Sequence, residues 1–252
     1  MTGTDAPPGL VPGAGVEVAT WRPLEVVDVD GWRVGRSGGF TRRANSVLPV
    51  SAPSDVPAAL DRVEALYAPG RAVFRVDADA QPPHLDALLE ARGYARVAPT
   101  RVMVLDQPRA PGDRPRFPRG MRVQVADEPD EPWLTGWLGV KAGGGDVDAG
   151  RARALVVGTP ATYLTARDDD GVAGVLRAAY AGGWVALSSL MVAPRARRRG
   201  LATALTAAAL QTAADRGVGR AFLQVEEGNA AAVALYARCG FALAYGYHYR
   251  ER

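Results

Sequence analysis

Across the second half of the chain the spacing of apolar positions alternates between the strand period and the helix period. Arg122–Val125 alternates and predicts a short strand, and Pro132–Leu138 carries Trp133 and Trp137 one helical turn apart. A glycine-rich stretch from Lys141 to Asp148 follows, then a short helix over Arg151–Val157. Ala161–Arg167 and Val172–Tyr180 read as strands about Asp168-Asp169-Asp170-Gly171, where a solvated hairpin turn is favoured over a metal site. Trp184–Val192 is a further strand. Leu201, Leu205, Ala208, Ala209 and Thr212 lie on one face of a helix that stops near Gly217. Ala221–Glu226 is again a strand, Asn229 caps a last helix ending at Gly240, and Phe241–Arg250 is the closing strand.

The first half runs in a related order. Gly31–Arg36 and Thr41–Val47 read as hairpin strands, Val56–Tyr67 as helix, Ala72–Val76 as strand, His84–Arg92 as helix and Ala95–Leu105 as strand. In both halves a short helix stops at a glycine–aromatic pair, Gly93-Tyr94 and Gly240-Phe241, and a strand follows at once. That weak internal repeat points to two copies of one fold. Between the halves, Gln107–Gly120 has four prolines and no apolar period, and reads as a linker. The expected division is a flexible tail over 1–20, a domain over 21–106, the linker over 107–120 and a second domain over 121–252.

Chemistry concentrates at one place. The strand ending Leu190-Met191-Val192-Ala193-Pro194 runs into Arg195-Ala196-Arg197-Arg198-Arg199-Gly200, which opens the Leu201 helix. A turn opening a helix aims unpaired N–H groups at one point, backed by the positive end of the helix dipole. Four arginines in five residues add forked donors for phosphate oxygens, although a basic run is more usually a solvated loop.

Composition narrows the rest. A net charge of +3 is too small to imply general nucleic-acid binding, and 48% hydrophobic content is ample for a packed core. No apolar run reaches membrane-spanning length, and the first residues lack the blocks of a signal peptide. The single cysteine, Cys239, excludes an internal disulfide and fits a reducing compartment, so a cytoplasmic protein without a membrane partner is expected. His84 and His248 are far apart in sequence, and with one cysteine they make no zinc ligand set, so no metal is expected.

With these residues in view, the second half resembles the GCN5-related N-acetyltransferase (GNAT) superfamily. Arg197-Arg198-Arg199-Gly200-Leu201-Ala202 matches the family's Q/R-x-x-G-x-G/A turn. Downstream, Leu223-Gln224-Val225 leads to Asn229, then Leu235-Tyr236 and Gly240-Phe241, in the family's order and spacing. The first half, with Arg43-Ala44-Asn45-Ser46, is similar to the degenerate copy in tandem acetyltransferases of bacterial origin, but has Ser51-Ala52-Pro53-Ser54-Asp55 where the turn belongs. The resemblance implies an α/β (α+β) chain of two GNAT-like domains, each a mixed, mostly antiparallel sheet flanked by helices, with one acetyl-CoA site.

That resemblance also implies roles. Leu190, Met191 and Val192 would line the pantetheine arm, with Arg197, Arg198, Arg199, Gly200, Leu201, Ala202 and Thr203 around the pyrophosphate and Asn229, Ala232 and Tyr236 completing the cofactor site. Tyr236 matches the family tyrosine that protonates the departing sulfur; otherwise it is an ordinary core aromatic. In ribosomal-protein alanine acetyltransferases, which the Asn229-Ala-Ala-Ala segment resembles, a glutamate stands where this chain has Gln224. Glu226, one strand repeat further, is the available base, or else a solvated carboxylate. Trp133, Trp137, Asp146, Ser189 and Gln224 are candidates for the acceptor side, the tryptophans and Asp146 for a cationic amine. The expected activity is transfer of the acetyl group of acetyl-CoA to a primary amine of a small molecule or peptide, by direct attack in a ternary complex. The alternative is a non-catalytic acyl-CoA-binding module. A monomer or homodimer fits either.

Overall fold

The computed structural model describes residues 6–7, 9–106, 115–141 and 148–252. Seven helices and eleven strands occur among them, in two compact units. One unit is built from residues up to Thr20 together with Val102–Val225 and Asn229–Ala244; the other holds Trp21–Arg101, Glu226–Gly228 and Tyr245–Arg252.

In the unit carrying the basic turn, β6 (Arg122–Ala126), β7 (Ala161–Asp168), β8 (Gly171–Ala181) and β9 (Trp184–Val192) form an antiparallel meander. Tight turns join β7 to β8 at Asp169-Asp170 and β8 to β9 at Gly182-Gly183, whereas two helices lie between β6 and β7 in the chain. The strand β10 (Arg220–Glu226) lies parallel to β9, since the helix α6 (Leu201–Asp215) carries the chain back across the sheet. Alternation decides which side chains face α6. Leu164, Leu176, Leu187 and Leu223 join Leu201, Leu205 and Ala209 in one core, which also takes in Tyr236 and Phe241 of α7 (Ala230–Arg238) and its exit. Gly174 is needed where β8 meets this layer: a Cβ there would sit 3.0 Å from the Met191 carbonyl and 3.1 Å from Leu205.

The opposite face of that sheet is covered by α4 (Glu131–Lys141) and α5 (Ala149–Val157), and here one expectation fails. Trp133 and Trp137 are fully buried, 5.6 Å apart, with Trp133 edge-on to Tyr163 and its indole N–H donating to the Leu176 carbonyl. They are core residues, because one helical turn of spacing puts both on the single face that α4 buries. Trp137→Ala is expected to lower unfolding free energy by about 3–5 kcal/mol in urea titration, without a selective change in acceptor KM.

A second expectation fails at the start of the chain. Gly13–Thr20 is not a tail but a helix, α1. Its two glycines and eight residues give no stripe to read, and helices so short depend on tertiary contacts. Polar ones are among them: Arg177 donates to the Thr20 carbonyl at 2.9 Å and Thr159 to the Ala19 carbonyl at 2.6 Å.

The other unit has strand order β1-β2-β3-β4-β11, from β1 (Glu25–Val29), β2 (Trp32–Arg36), β3 (Val47–Pro49), β4 (Val73–Val76) and the end of β11 (Ala242–Glu251). The hairpin is β1–β2 about Asp30-Gly31, and the expected strand over Thr41–Val47 is a 3-10 turn at Arg42–Ala44 before a short β3. Asn45 is the cause: its carbonyl accepts the Ser37 and Gly39 N–H groups and its amide donates to Thr41, lacing a loop there. The helices α2 (Val56–Tyr67) and α3 (Leu85–Ala91) bury Leu60, Val63 and Leu89 against Phe74 and Trp32.

Each unit contains a parallel pair beside antiparallel ones, β9–β10 and β3–β4. Both close their last helix alike. After α3, Gly93 has φ 88° and the Tyr94 N–H bonds the Leu89 carbonyl; after α7, Gly240 has φ 91° and the Phe241 N–H bonds the Tyr236 carbonyl. The repeat read from two glycine–aromatic pairs is thus a repeated cap.

An ion cluster sets a pH dependence in this unit. Asp86 accepts from the Arg250 guanidinium at 2.7 Å and pairs with His248 at 2.8 Å, and these contacts hold its carboxyl down at about 2. A folded value below the unfolded one stabilises above about pH 4 and is lost as pH falls towards 2. Because Asp86 is partly exposed, Asp86→Asn is expected to cost about 1 kcal/mol at pH 7 and almost nothing at pH 2, in thermal melts across that range.

Candidate active site

Two features of the second-half unit converge. The register between β9 and β10 ends at Leu187↔Leu223, although the strands continue to Val192 and Glu226, so they part there. Opposite β8, the register shifts between Val175 and Arg177, and Ser189 takes φ 57°, a bulge that bends β9 away from β10. Leu190, Met191 and Val192 form the bent end, with Met191 and Val192 still paired to Val175 and Gly174.

Past Pro194 a 3-10 turn brings the chain to the start of α6. Gly200 is the N-cap at φ 82°, Arg198 is also left-handed at φ 62°, and no side chain caps the helix. The first N–H groups of α6 are thus left for a ligand. The arginines divide their labour. Arg195 pairs with Asp168 at 2.7 Å and Arg197 donates to the Val192 carbonyl, which braces the turn from within. Arg198 and Arg199 are exposed and make no ion pair among the described residues. Beside them lies a cavity of about 630 Å³ bounded by α6 and α7, lined by Val192, Arg197, Arg198, Gly200, Leu201, Ala202, Thr203 and Ala232.

Arg238 lines the same cavity with Ala231, Ala234 and Leu235. Sequence reasoning missed it, yet the spacing of Ala231, Ala234 and Arg238 was available as a helix face. Asn229 caps α7, its side chain accepting the Ala232 N–H at 3.1 Å. Tyr236 is on the buried side of α7, edge-on to Phe241 at 5.8 Å, and is not part of the cavity wall. Burial pushes its hydroxyl well above the ordinary tyrosine value, and the Cys239 thiol adds to that.

The acceptor candidates are dispersed. Trp133 and Trp137 are core, Asp146 lies outside the described residues, and Ser189 sits in the bulge. Gln224 is half-buried and donates its amide to Glu17 of α1. Glu226 is exposed at the end of β10 and clusters with the other unit. Among the described residues no His/Cys/Asp/Glu group is placed to hold a metal, and no helix is long and apolar enough to cross a membrane.

The first-half unit treats its corresponding helix start differently. Asp55 caps α2 through the Ala58 N–H, and Asp30 accepts both the N–H and hydroxyl of Ser54. Carboxylates stand there, which repel phosphate.

A family model described as "probable histone acetyltransferase Rv0428c C-terminal" matches residues 16–250. The chain belongs to that family, within the GNAT superfamily. It is an N-acetyltransferase of the acyltransferase class. An "uncharacterized N-acetyltransferase YobR" of Bacillus subtilis is 25% identical over 239 residues, covering 92% of this chain and 94% of the relative. A mycothiol acetyltransferase of Clavibacter michiganensis is 34% identical over 177 residues, covering 63% of this chain and 55% of that longer protein. Among solved structures, a GNAT protein from Kribbella flavida aligns with TM-score 0.65 at 20% identity, over 91% of this chain and 90% of that one. A tandem GNAT protein from the clavulanic acid biosynthesis pathway aligns with TM-score 0.61 at 19% identity, over 100% and 90%. The mixed, mostly antiparallel GNAT fold expected from the sequence is shared with both.

Proposed function

We propose that the second-half unit binds acetyl-CoA at the start of α6 and passes its acetyl group to a primary amine of a small molecule or peptide, in a ternary complex. The observation that carries this reading is the left-handed helix start at Gly200, which no side chain caps, with Arg198 and Arg199 exposed and in no ion pair among the described residues, in the unit where β9 and β10 part. The residues fit the group. The N–H groups of Leu201, Ala202 and Thr203 with Arg198 and Arg199 would hold a pyrophosphate, Arg238 would add charge, and the gap beside Leu190–Val192 suits an extended arm.

Acetyl-CoA supplies an activated thioester. The chain's own residues would supply the rest: backbone N–H groups at the bent end of β9 would polarise the carbonyl, and Tyr236 would give its phenolic proton to the departing sulfur. Burial keeps that phenol protonated at neutral pH, and the same rise in pKa makes it a weaker acid. Asn229 sets the start of α7 and so the position of Tyr236. The sealed helix start in the first half leaves one cofactor site, with the first-half domain in a supporting role.

The names of the relatives span both acceptor classes, histone for the family and mycothiol for the partial relative. Coenzyme A release with a lysine-bearing histone-tail peptide, an alanine-ended tripeptide, glucosamine and putrescine tests the reading. Turnover on at least one is expected. Tight acetyl-CoA binding with no turnover, and no effect of Tyr236→Phe, would instead support the non-catalytic binding module.

A further inference from the structure

An amine arrives at neutral pH chiefly as ammonium, and its lone pair becomes available only when a proton leaves. Glu226, the carboxylate that the sequence offers for this, stands in water at the end of β10. The fold brings a different carboxylate to the same strand. Glu17 of α1 is 2% exposed and accepts the side-chain amide of Gln224. Gln224 lies one residue beyond the last β9–β10 pair, Leu187↔Leu223, and by strand alternation Gln224 and Ser188 both point to the sheet face opposite those two leucines. The Ser188 and Ser189 hydroxyls are buried without a hydrogen bond among the described residues. Buried hydroxyls in that condition are ordinarily met by ordered water. From β8, Arg177 is the charged group directed at α1, and its guanidinium holds the Thr20 carbonyl.

We infer that Glu17 is the proton acceptor for the amine, acting through water held by Ser188 and Ser189, with Gln224 fixing its carboxylate. The inference rests on the acetyl-transfer reading of this unit. It accounts for a short, glycine-containing helix that carries a buried carboxylate, and for glutamine at 224, whose amide donates to that carboxylate. The balance is closed. Glu17 takes one proton from the ammonium through the water, the freed nitrogen bonds to the acetyl carbon, the carbon–sulfur bond breaks and the sulfur takes a proton from Tyr236. The second nitrogen proton passes through water to the Tyr236 phenolate, and Glu17 returns its proton to solvent.

Three proteins test it: Glu17→Gln, Glu17→Asp and the exchanged pair Glu17→Gln with Gln224→Glu, which keeps an amide against a carboxylate and so controls for folding. All are expected to bind acetyl-CoA within about twofold of the parent in calorimetry. Glu17→Gln is expected to lose about 10²-fold in kcat on the best amine probe, with KM little changed and the acidic limb of the kcat profile gone. Glu17→Asp and the exchanged pair should recover a tenth or more of the parent rate. Independently of turnover, isotope-edited infrared spectra with Glu17→Gln as blank should show an ionised Glu17 at the pH of maximal kcat. A Glu17→Gln protein within threefold of the parent and with its pH profile intact would overturn the inference. So would a neutral Glu17 at that pH, or a parent that binds acetyl-CoA and acetylates none of the probes. Failure of the parent to bind acetyl-CoA would overturn the acetyl-transfer reading as well, which separates the two.

Discussion

Tyr236→Phe is expected to lower kcat by about 10²–10³-fold while leaving acetyl-CoA affinity within about twofold. The ring stays where it is needed: it packs edge-on to Phe241 at 5.8 Å, and the Phe241 N–H locks the helix end on the Tyr236 carbonyl at 3.0 Å. Removing one hydroxyl from that setting should change stability by less than about 1 kcal/mol, so the loss in rate is not a loss of fold. Burial raises the hydroxyl's pKa, and the protonated form therefore persists beyond the ordinary tyrosine value of about 10. The alkaline limb of the parent's kcat profile is expected above that value, and the residual rate of Tyr236→Phe should lack that limb. Steady-state rates, paired with calorimetric titration of acetyl-CoA, check both parts.

Gly200→Val is expected to weaken acetyl-CoA binding by at least tenfold, which corresponds to about 1.4 kcal/mol. A Cβ at 200 meets nothing within 4 Å, so a clash is not the cause. The cost lies in the backbone, because φ 82° is a left-handed conformation that a β-branched residue adopts poorly, at about 1–3 kcal/mol. Relaxing that strain rotates the first N–H groups of α6 away from their common point. Gly200→Asn should fall between the parent and Gly200→Val, since asparagine tolerates the left-handed region. The same substitutions at an exposed glycine of ordinary φ, such as Gly219, should leave binding unchanged.

Much of the fold was legible because its signals are local. Trp184–Val192 and Val56–Tyr67 have the boundaries their apolar patterns predict, and Asn229 caps α7 as its position implies. The start of α6 was legible too, since Gly200 stands immediately before the Leu201 helix and is its N-cap. What escaped was what only long-range contact determines. Nothing in Gly13–Thr20 marks a helix, and its carboxylate gains meaning only when Glu17 meets Gln224 some two hundred positions away. The tryptophan pair misled for a related reason: helical spacing shows that two aromatics share a face, but not whether that face meets solvent or core. The fold put both in the core. Asn45 likewise lies in an apparent strand, and its three hydrogen bonds to loop backbone override that pattern.

We propose a single acetyl-CoA site per chain, at the start of α6, since the matching start of α2 carries the carboxylates of Asp55 and Asp30. Isothermal titration of the full chain with acetyl-CoA, repeated on Gly200→Val, addresses it most directly. One equivalent bound per chain, with that binding weakened at least tenfold in the variant, is the expected result. Two equivalents per chain, or an unchanged isotherm for Gly200→Val, would contradict it.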